Sequence, residues 1–248
     1  MAKFQKYEQK IRKYKEKLKK LVTRIGISYS EEFDLVDEEL KKLILPCHLG
    51  VMFYTDFDTN LFKQIKSLLN QVFDSFFFGI NNLGQFHFGK ALFSKGIKKE
   101  HKEMRKINDK ISTHPTNKFY QELINIRTKE KLGIIILLTD LPIYSSSDDN
   151  IVFMFGETHL KHRCSVVSTL KLKEEFYDRV RDDKLFEQRV LKEIIHEIGH
   201  ILIGSPHCEE NSCVMKFSKA VEQIDNKPYS LCRECNLKLD KIRDKLNF

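Results

Sequence analysis

Among the 248 residues, the side chains able to do chemistry crowd into one window towards the C-terminal end. Its centre is His196-Glu197-Ile198-Gly199-His200, two histidines four residues apart with a carboxylate between them. On a helix this spacing sends both imidazoles from one face, one turn apart, so both reach a single metal ion at about 2.0–2.1 Å. Glu197 then projects close enough to orient and deprotonate a water without ligating the metal. Just past the helix, Gly204-Ser205-Pro206-His207 supplies a third imidazole, behind a glycine suited to the left-handed conformation that ends helices. Three histidines and an open position form a catalytic donor set. Zinc is its natural ion, although these residues alone do not separate zinc from iron, cobalt or manganese. The remaining histidines (His48, His87, His101, His114, His159 and His162) are assigned no role.

Four of the six cysteines follow at once. Cys208 and Cys213 are separated by four residues, Cys232 and Cys235 by two, and the pairs by eighteen. This is the pattern of a closed tetrahedral thiolate zinc site, which would staple the C-terminal segment and lose it when the metal is removed. Two disulfides would satisfy the same spacing only in an oxidising compartment. Cys47 and Cys164 stand alone and the N-terminus lacks an apolar stretch with a cleavage site, so a cytoplasmic location is expected.

The elements that must carry these residues follow from periodicity. A helix is expected over Leu185 to Ile203. Upstream, strand and helix alternate from Cys47: strands at Leu49 to Tyr54, Ser75 to Ile80, Lys131 to Asp140, Ile151 to Glu157 and Cys164 to Leu170, with helices at Asp58 to Phe73 and Asn117 to Glu130. The uninterrupted aliphatic run from Ile134 to Leu138 is that of a central strand covered on both faces, and is far too short to span a bilayer. Gln85 to Phe93 has strand-like alternation through Phe86 and Phe88, Lys95 to Lys110 is expected to be a solvated connection, and Pro142 to Asn150 a polar loop. The fold class is therefore α/β, with a mixed twisted sheet.

Residues 1–24 hold ten lysines and arginines against Glu8 and Glu16, so this segment carries the whole formal charge of +8. Its apolar residues (Phe4, Tyr7, Ile11, Tyr14, Leu18, Leu21 and Ile25) form one helical stripe, and a second helix is expected from about Ser30 to Pro46. A basic helix laid on its own domain is the plain reading. Self-association or an anionic partner through residues 1–24 comes next, and nucleic acid last.

His196-Glu-Ile-Gly-His200, Gly204-x-x-His207-Cys208-x(4)-Cys213-x-Met215 and Cys232-x-x-Cys235 together resemble the archaemetzincins, a branch of the metzincin metallopeptidases. The resemblance spans Leu49 to Leu239 and leaves the first 46 residues outside. It implies a zincin-like α+β domain over 47–248, with an upper part to residue 204 and a zinc-stapled part over 205–248; residues 1–46 are, from their own periodicity and charge, a basic helical extension. It further implies two zinc ions: a catalytic one on His196, His200 and His207, with Glu197 as general base and acid, and a structural one on Cys208, Cys213, Cys232 and Cys235. Met215 would be the Met-turn residue beneath the catalytic metal. Ile151, Val152, Phe153, Met154, Phe155 and Gly156 would form the edge strand that pairs with an extended peptide.

The family pattern places two residues between the second histidine and the glycine, where Ile201, Leu202 and Ile203 make three here. One extra helical residue rotates the exit by about 100° and advances it by about 1.5 Å. The implied function is hydrolysis of peptide bonds by a zinc-bound water that Glu197 activates, with a peptide or protein substrate. The alternative is a non-catalytic, zinc-stabilised protein that binds peptides or a partner.

Overall fold

The computed structural model describes residues 27–28, 43–54, 57, 59–86, 99–101, 111–146, 153–204 and 207–246. The two helices expected within residues 1–46 lie outside the described residues. Ile27–Ser28 is described, as a two-residue strand β1.

Apolar alternation and crossover helices build the sheet. The strands β2 (Cys47–Phe53), β3 (Phe77–Gln85), β6 (Ile134–Thr139), β8 (Gly156–His159) and β9 (Cys164–Ser168) join β1 in one sheet of order β1-β8-β9-β6-β2-β3. β3, β2, β6 and β9 run parallel, as strands connected by helices do, and β8 turns back antiparallel to β9. β1 pairs parallel with β8, Ile27 opposite Thr158.

The helices sort by face. In β6, Ile134, Ile136 and Leu138 pack with α1 (Thr59–Val72) and α3 (Asp183–Ile203), while Ile135 and Leu137 pack with α2 (Asn117–Lys129). This is the two-residue alternation of a strand buried on both sides. After α3 come α4 (Val221–Asp225) and α5 (Arg233–Leu246), whose Val221, Ile224, Cys235 and Leu239 share one core with the isoleucines of α3.

Some expectations shift. The second strand starts two residues later than expected and runs on to Gln85, following its pairing with β2 from Phe77 to Gln85; Phe76 is buried, Phe77 packs against the core and Phe78 is exposed. The expected connection at Lys95 to Lys110 contains a strand, β4 (Lys99–His101). It pairs with β5 (Ile111–Pro115), and β5 pairs with β7 (Ile143–Tyr144), in a second small sheet. β4 is made by backbone pairing and carries no apolar signature in its sequence, Lys-Glu-His. No helix among the described residues is long and apolar enough to cross a membrane.

Candidate metal centre

α3 starts where Asp182, in extended conformation, accepts the Leu185 N–H at 2.9 Å and fills an orphan donor of the first turn. From Arg189 to Leu202 every residue of this helix is buried, because the sheet covers one side and α4 and α5 the other. His196, Glu197 and His200 therefore face an interior wall rather than solvent.

The extra residue before Gly204 extends the helix by one regular step. The Gly204 N–H bonds to His200 O at 3.0 Å, and Gly204 then takes φ 77°, the left-handed region open to glycine. Residues 205 and 206 lie outside the described residues. His207 nevertheless returns to the site. Its Nε2 lies 3.0 Å from that of His196 and 3.2 Å from that of His200, and the latter two are 3.1 Å apart.

Hydrogen bonding fixes what these nitrogens can do. His196 Nδ1 lies 2.9 Å from Val214 O and His200 Nδ1 3.3 Å from Gly204 O. A carbonyl only accepts, so both Nδ1 atoms hold the proton and both Nε2 atoms present lone pairs. Two lone pairs facing each other at such distance are repulsive unless a cation lies between them. Ligands on one tetrahedral zinc would stand about 3.3 Å apart, close to the spacing observed. Burial, then Lys227 and the other two histidines, holds His196 well below the ordinary imidazole range. Burial likewise lowers His200 to about 4 and His207 to about 2. Neutral rings are the form that ligates.

The second cluster is equally consistent with its proposed ion. The sulfurs of Cys208, Cys213, Cys232 and Cys235 all lie within 4.8 Å of one another. Cys208 and Cys232 stand 3.6 Å apart, far beyond the length of an S–S bond, and all four are free thiols. Burial raises Cys213 to about 11, so thiolates here need a cation to stabilise them. Cys208 N–H donates to Met215 O at 3.0 Å and Cys232 N–H to Cys213 Sγ at 3.3 Å, which ties this cluster to the Met215 turn.

Met215 is buried against α3, where a β-carbon built on Gly199 would stand 2.3 Å from its sulfur. Glycine at 199 is thus required by close approach. Glu197 is buried as well, and burial first, then Glu193 and Glu157, push its carboxyl well above the usual range, against the Thr158 hydroxyl and Lys227. Thr158, Gly199 and Lys227 were not singled out from the sequence. Only their places relative to α3 give them roles, and no local pattern announces them.

Of the six residues expected to line a peptide, Ile151 and Val152 lie outside the described residues. Met154 N–H donates to Ile143 O, and Phe155 O accepts from Ser168 N–H. Phe155 packs into the core, and Phe153 lies under Lys171 Nζ. Only Gly156 belongs to β8, so the strand runs Gly156–His159 rather than Ile151 to Glu157.

A mostly parallel sheet backed by a helix that holds two histidines and a glutamate, with a third histidine just beyond it, defines the class: an α/β protein with three histidines placed so that they could hold one metal ion. The model of peptidase family M54 matches residues 52–241, and the chain belongs to that family. Its sequence is 38% identical over 112 residues to an archaemetzincin of Methanocaldococcus jannaschii, a match covering 45% of this chain and 59% of that one. It is 41% identical over 108 residues to an archaemetzincin of Saccharolobus solfataricus, covering 44% and 56%. The chain thus spans a little over half the length of these curated relatives. Among solved structures, the archaemetzincin of Methanopyrus kandleri has TM-score 0.59 at 21% identity, covering 78% of this chain and 93% of that one. A zinc-dependent peptidase from Methanocorpusculum labreanum has TM-score 0.59 at 22% identity, covering 77% and 99%. These likenesses establish the fold.

Proposed function

We propose that the chain is a zinc-dependent peptidase whose metal is held by His196, His200 and His207. The observation that carries this reading is the convergence of three Nε2 atoms within 3.2 Å, two of them unable to donate, beside a buried glutamate on the same helix. Zinc bound there would polarise the scissile carbonyl and acidify a water. Glu197 would take the proton of the attacking water and return it to the departing amine, and a carboxyl whose proton affinity is raised suits both transfers. Backbone along Phe153 to Gly156 would receive an extended peptide. A second zinc on the four cysteines would hold the C-terminal part in place. The free cysteines suit a cytoplasmic location.

The alternative, a binding protein that captures peptides or a partner without cutting them, rests on the extra residue before Gly204 and on the basic segment 1–24 as an adaptor. His207 Nε2 at 3.0 and 3.2 Å from its partners weighs against the first of these, because the extra residue does not carry the third imidazole away. The test has two parts. Metal analysis is expected to find two zincs per chain, and a diverse peptide library is expected to be cleaved. Glu197→Gln is expected to lower turnover by about a hundredfold or more with zinc retained. Two zincs with no cleavage by the wild-type chain would replace the peptidase by the binding protein, and full activity in Glu197→Gln would sink the assigned base.

A further inference from the structure

β8 does more than border the site. Its residues alternate, so Gly156 and Thr158 face α3 while Glu157 turns to the other side, where Tyr120 Oη and Ser145 Oγ donate to its carboxylate at 2.9 and 2.5 Å. Each oxygen of Glu197 meets one of the two inward residues. A β-carbon built on Gly156 would stand 2.6 Å from Glu197 Oε1, so this oxygen rests against bare backbone. Thr158 Oγ1 lies 2.5 Å from Glu197 Oε2.

The hydroxyl direction follows by elimination. With Glu197 ionised, the two Glu197 atoms that meet Thr158 Oγ1, carboxylate Oε2 at 2.5 Å and the backbone carbonyl at 3.1 Å, both only accept, so Thr158 directs its single proton to Glu197, with the shorter bond to Oε2. Ser165 Oγ, 2.8 Å from Thr158 Oγ1, must then be the donor in that pair. Ser165 stands opposite Thr158 in the antiparallel β8–β9 register, and both side chains are fully buried. The result is a directed chain from Ser165 to Thr158 to Glu197, shielded from water. If Glu197 takes up a proton, the same two hydroxyls can reverse and accept it, so the carboxyl keeps its partner in either state.

We propose that Thr158, supported by Ser165, is a positioning residue for Glu197. It fixes the carboxyl rotamer by engaging Oε2, which leaves Oε1 as the oxygen to take the proton of the reacting water, and Gly156 keeps the space for that oxygen open. This inference rests on the peptidase reading for its kinetic consequence, but not for its structural one. A displacement of about 1 Å in such a group is worth about a hundredfold in rate.

The experiment compares full-length wild type with Thr158→Val, Thr158→Ser and Ser165→Ala, measuring kcat and KM on one cleaved peptide, zinc content, melting temperature and the crystal structure of each. Thr158→Val is expected to lower kcat by about ten- to hundredfold, with KM and zinc content unchanged and the Glu197 carboxyl rotated from its wild-type place. Thr158→Ser keeps the hydroxyl and is expected to restore kcat to within a few-fold. Ser165→Ala is expected to fall between them. A fold defect alone would lower melting temperature and zinc content together and would not be rescued selectively by serine. Wild-type kcat in Thr158→Val with Glu197 unmoved would overturn the proposal. Should the wild-type chain cut no peptide, the peptidase reading fails, and the position of Glu197 in Thr158→Val crystals still decides the positioning role.

Discussion

His196 and His200 stand on a helix buried without a break from Arg189 to Leu202, whereas Cys208 and Cys232 are only half-buried in the loops that follow it. The histidine site takes its shape from the core: helix, sheet and the Val214 carbonyl set two rings before any ligand arrives. The cysteine site is only half framed: Cys213 and Cys235 belong to the core, but Cys208 and Cys232 stand at its edge. Its four sulfurs come from one turn and from the start of α5, and burial alone would disfavour the thiolates. One site is expected to be preformed and the other to be made by its metal, although His207 and Cys208 share a peptide bond.

The largest test of that contrast is metal removal. Structural zinc sites in small peptides are worth about 10–16 kcal/mol. Treatment with a strong chelator is therefore expected to release amide protection throughout 208–246 while the central strands and the middle of α3 stay protected, as read by hydrogen exchange. Equal loss in both regions would show that the histidine site is no more preformed than the cysteine one.

A second device also holds the C-terminal part, and breaking it separates metal from packing. Arg189, buried on α3, donates to both oxygens of Asp225 at 2.6 and 2.8 Å and pairs with Glu174 at 2.6 Å. Lys192 Nζ adds bonds to the Ile224 and Asp225 carbonyls at 3.0 and 2.8 Å. Arg189→Met leaves Asp225 without its guanidinium and Glu174 with Arg179 alone, at 3.6 Å, a loss of about 3 kcal/mol, the lower end for a buried pair broken from one side because Asp225 is partly exposed. Denaturant unfolding of the zinc-loaded protein checks it. A cost below about 1 kcal/mol would mean the cysteine metal alone secures α4.

Smaller again is the coupling between the sites. Cys213→Ser removes one sulfur and leaves the backbone bond from Cys208 N–H to Met215 O, so His207 loses only part of its support. Residues that orient metal ligands typically change metal affinity by about ten- to hundredfold. A chelator competition is expected to show both zincs weakened, the structural one more, and unchanged affinity at the histidine site would make the two sites independent.

What was legible in the sequence divides along the same line. His196, Glu197 and His200 are set by helical spacing, and the cysteine pairs by short intervals, so both clusters could be read locally. The central strand at Ile134–Thr139 was legible because both its faces are buried. β4 and β5 were not, since Lys99–His101 pairs by backbone with no apolar stripe. The bounds of the strand at Gly156–His159 were not legible, because the apolar residues Phe153 to Phe155 precede the paired strand rather than form it. Thr158 escaped notice for a different reason: its partner is 39 residues away, and only the register of β8 against α3 brings the two together.

The finest test lies between the sites, at Gly199. On an exposed helix, glycine to alanine would stabilise by about 0.8–1.0 kcal/mol. Here the new methyl would stand 2.3 Å from Met215 Sδ and 2.9 Å from its Cε, and Met215 follows the Val214 carbonyl that holds His196 Nδ1. Overpacking of this kind costs about 1–3 kcal/mol, which outweighs the propensity gain and leaves Gly199→Ala destabilised by about 1 kcal/mol. Shortening Met215 to alanine removes the atoms in conflict, so the double variant Gly199→Ala, Met215→Ala should be more stable than the sum of the singles predicts. A double-mutant cycle in urea measures that difference, with an interaction of about 1 kcal/mol expected between touching residues. Strict additivity would mean that the Met215 turn yields freely and that the histidine site is held by α3 and its sheet alone.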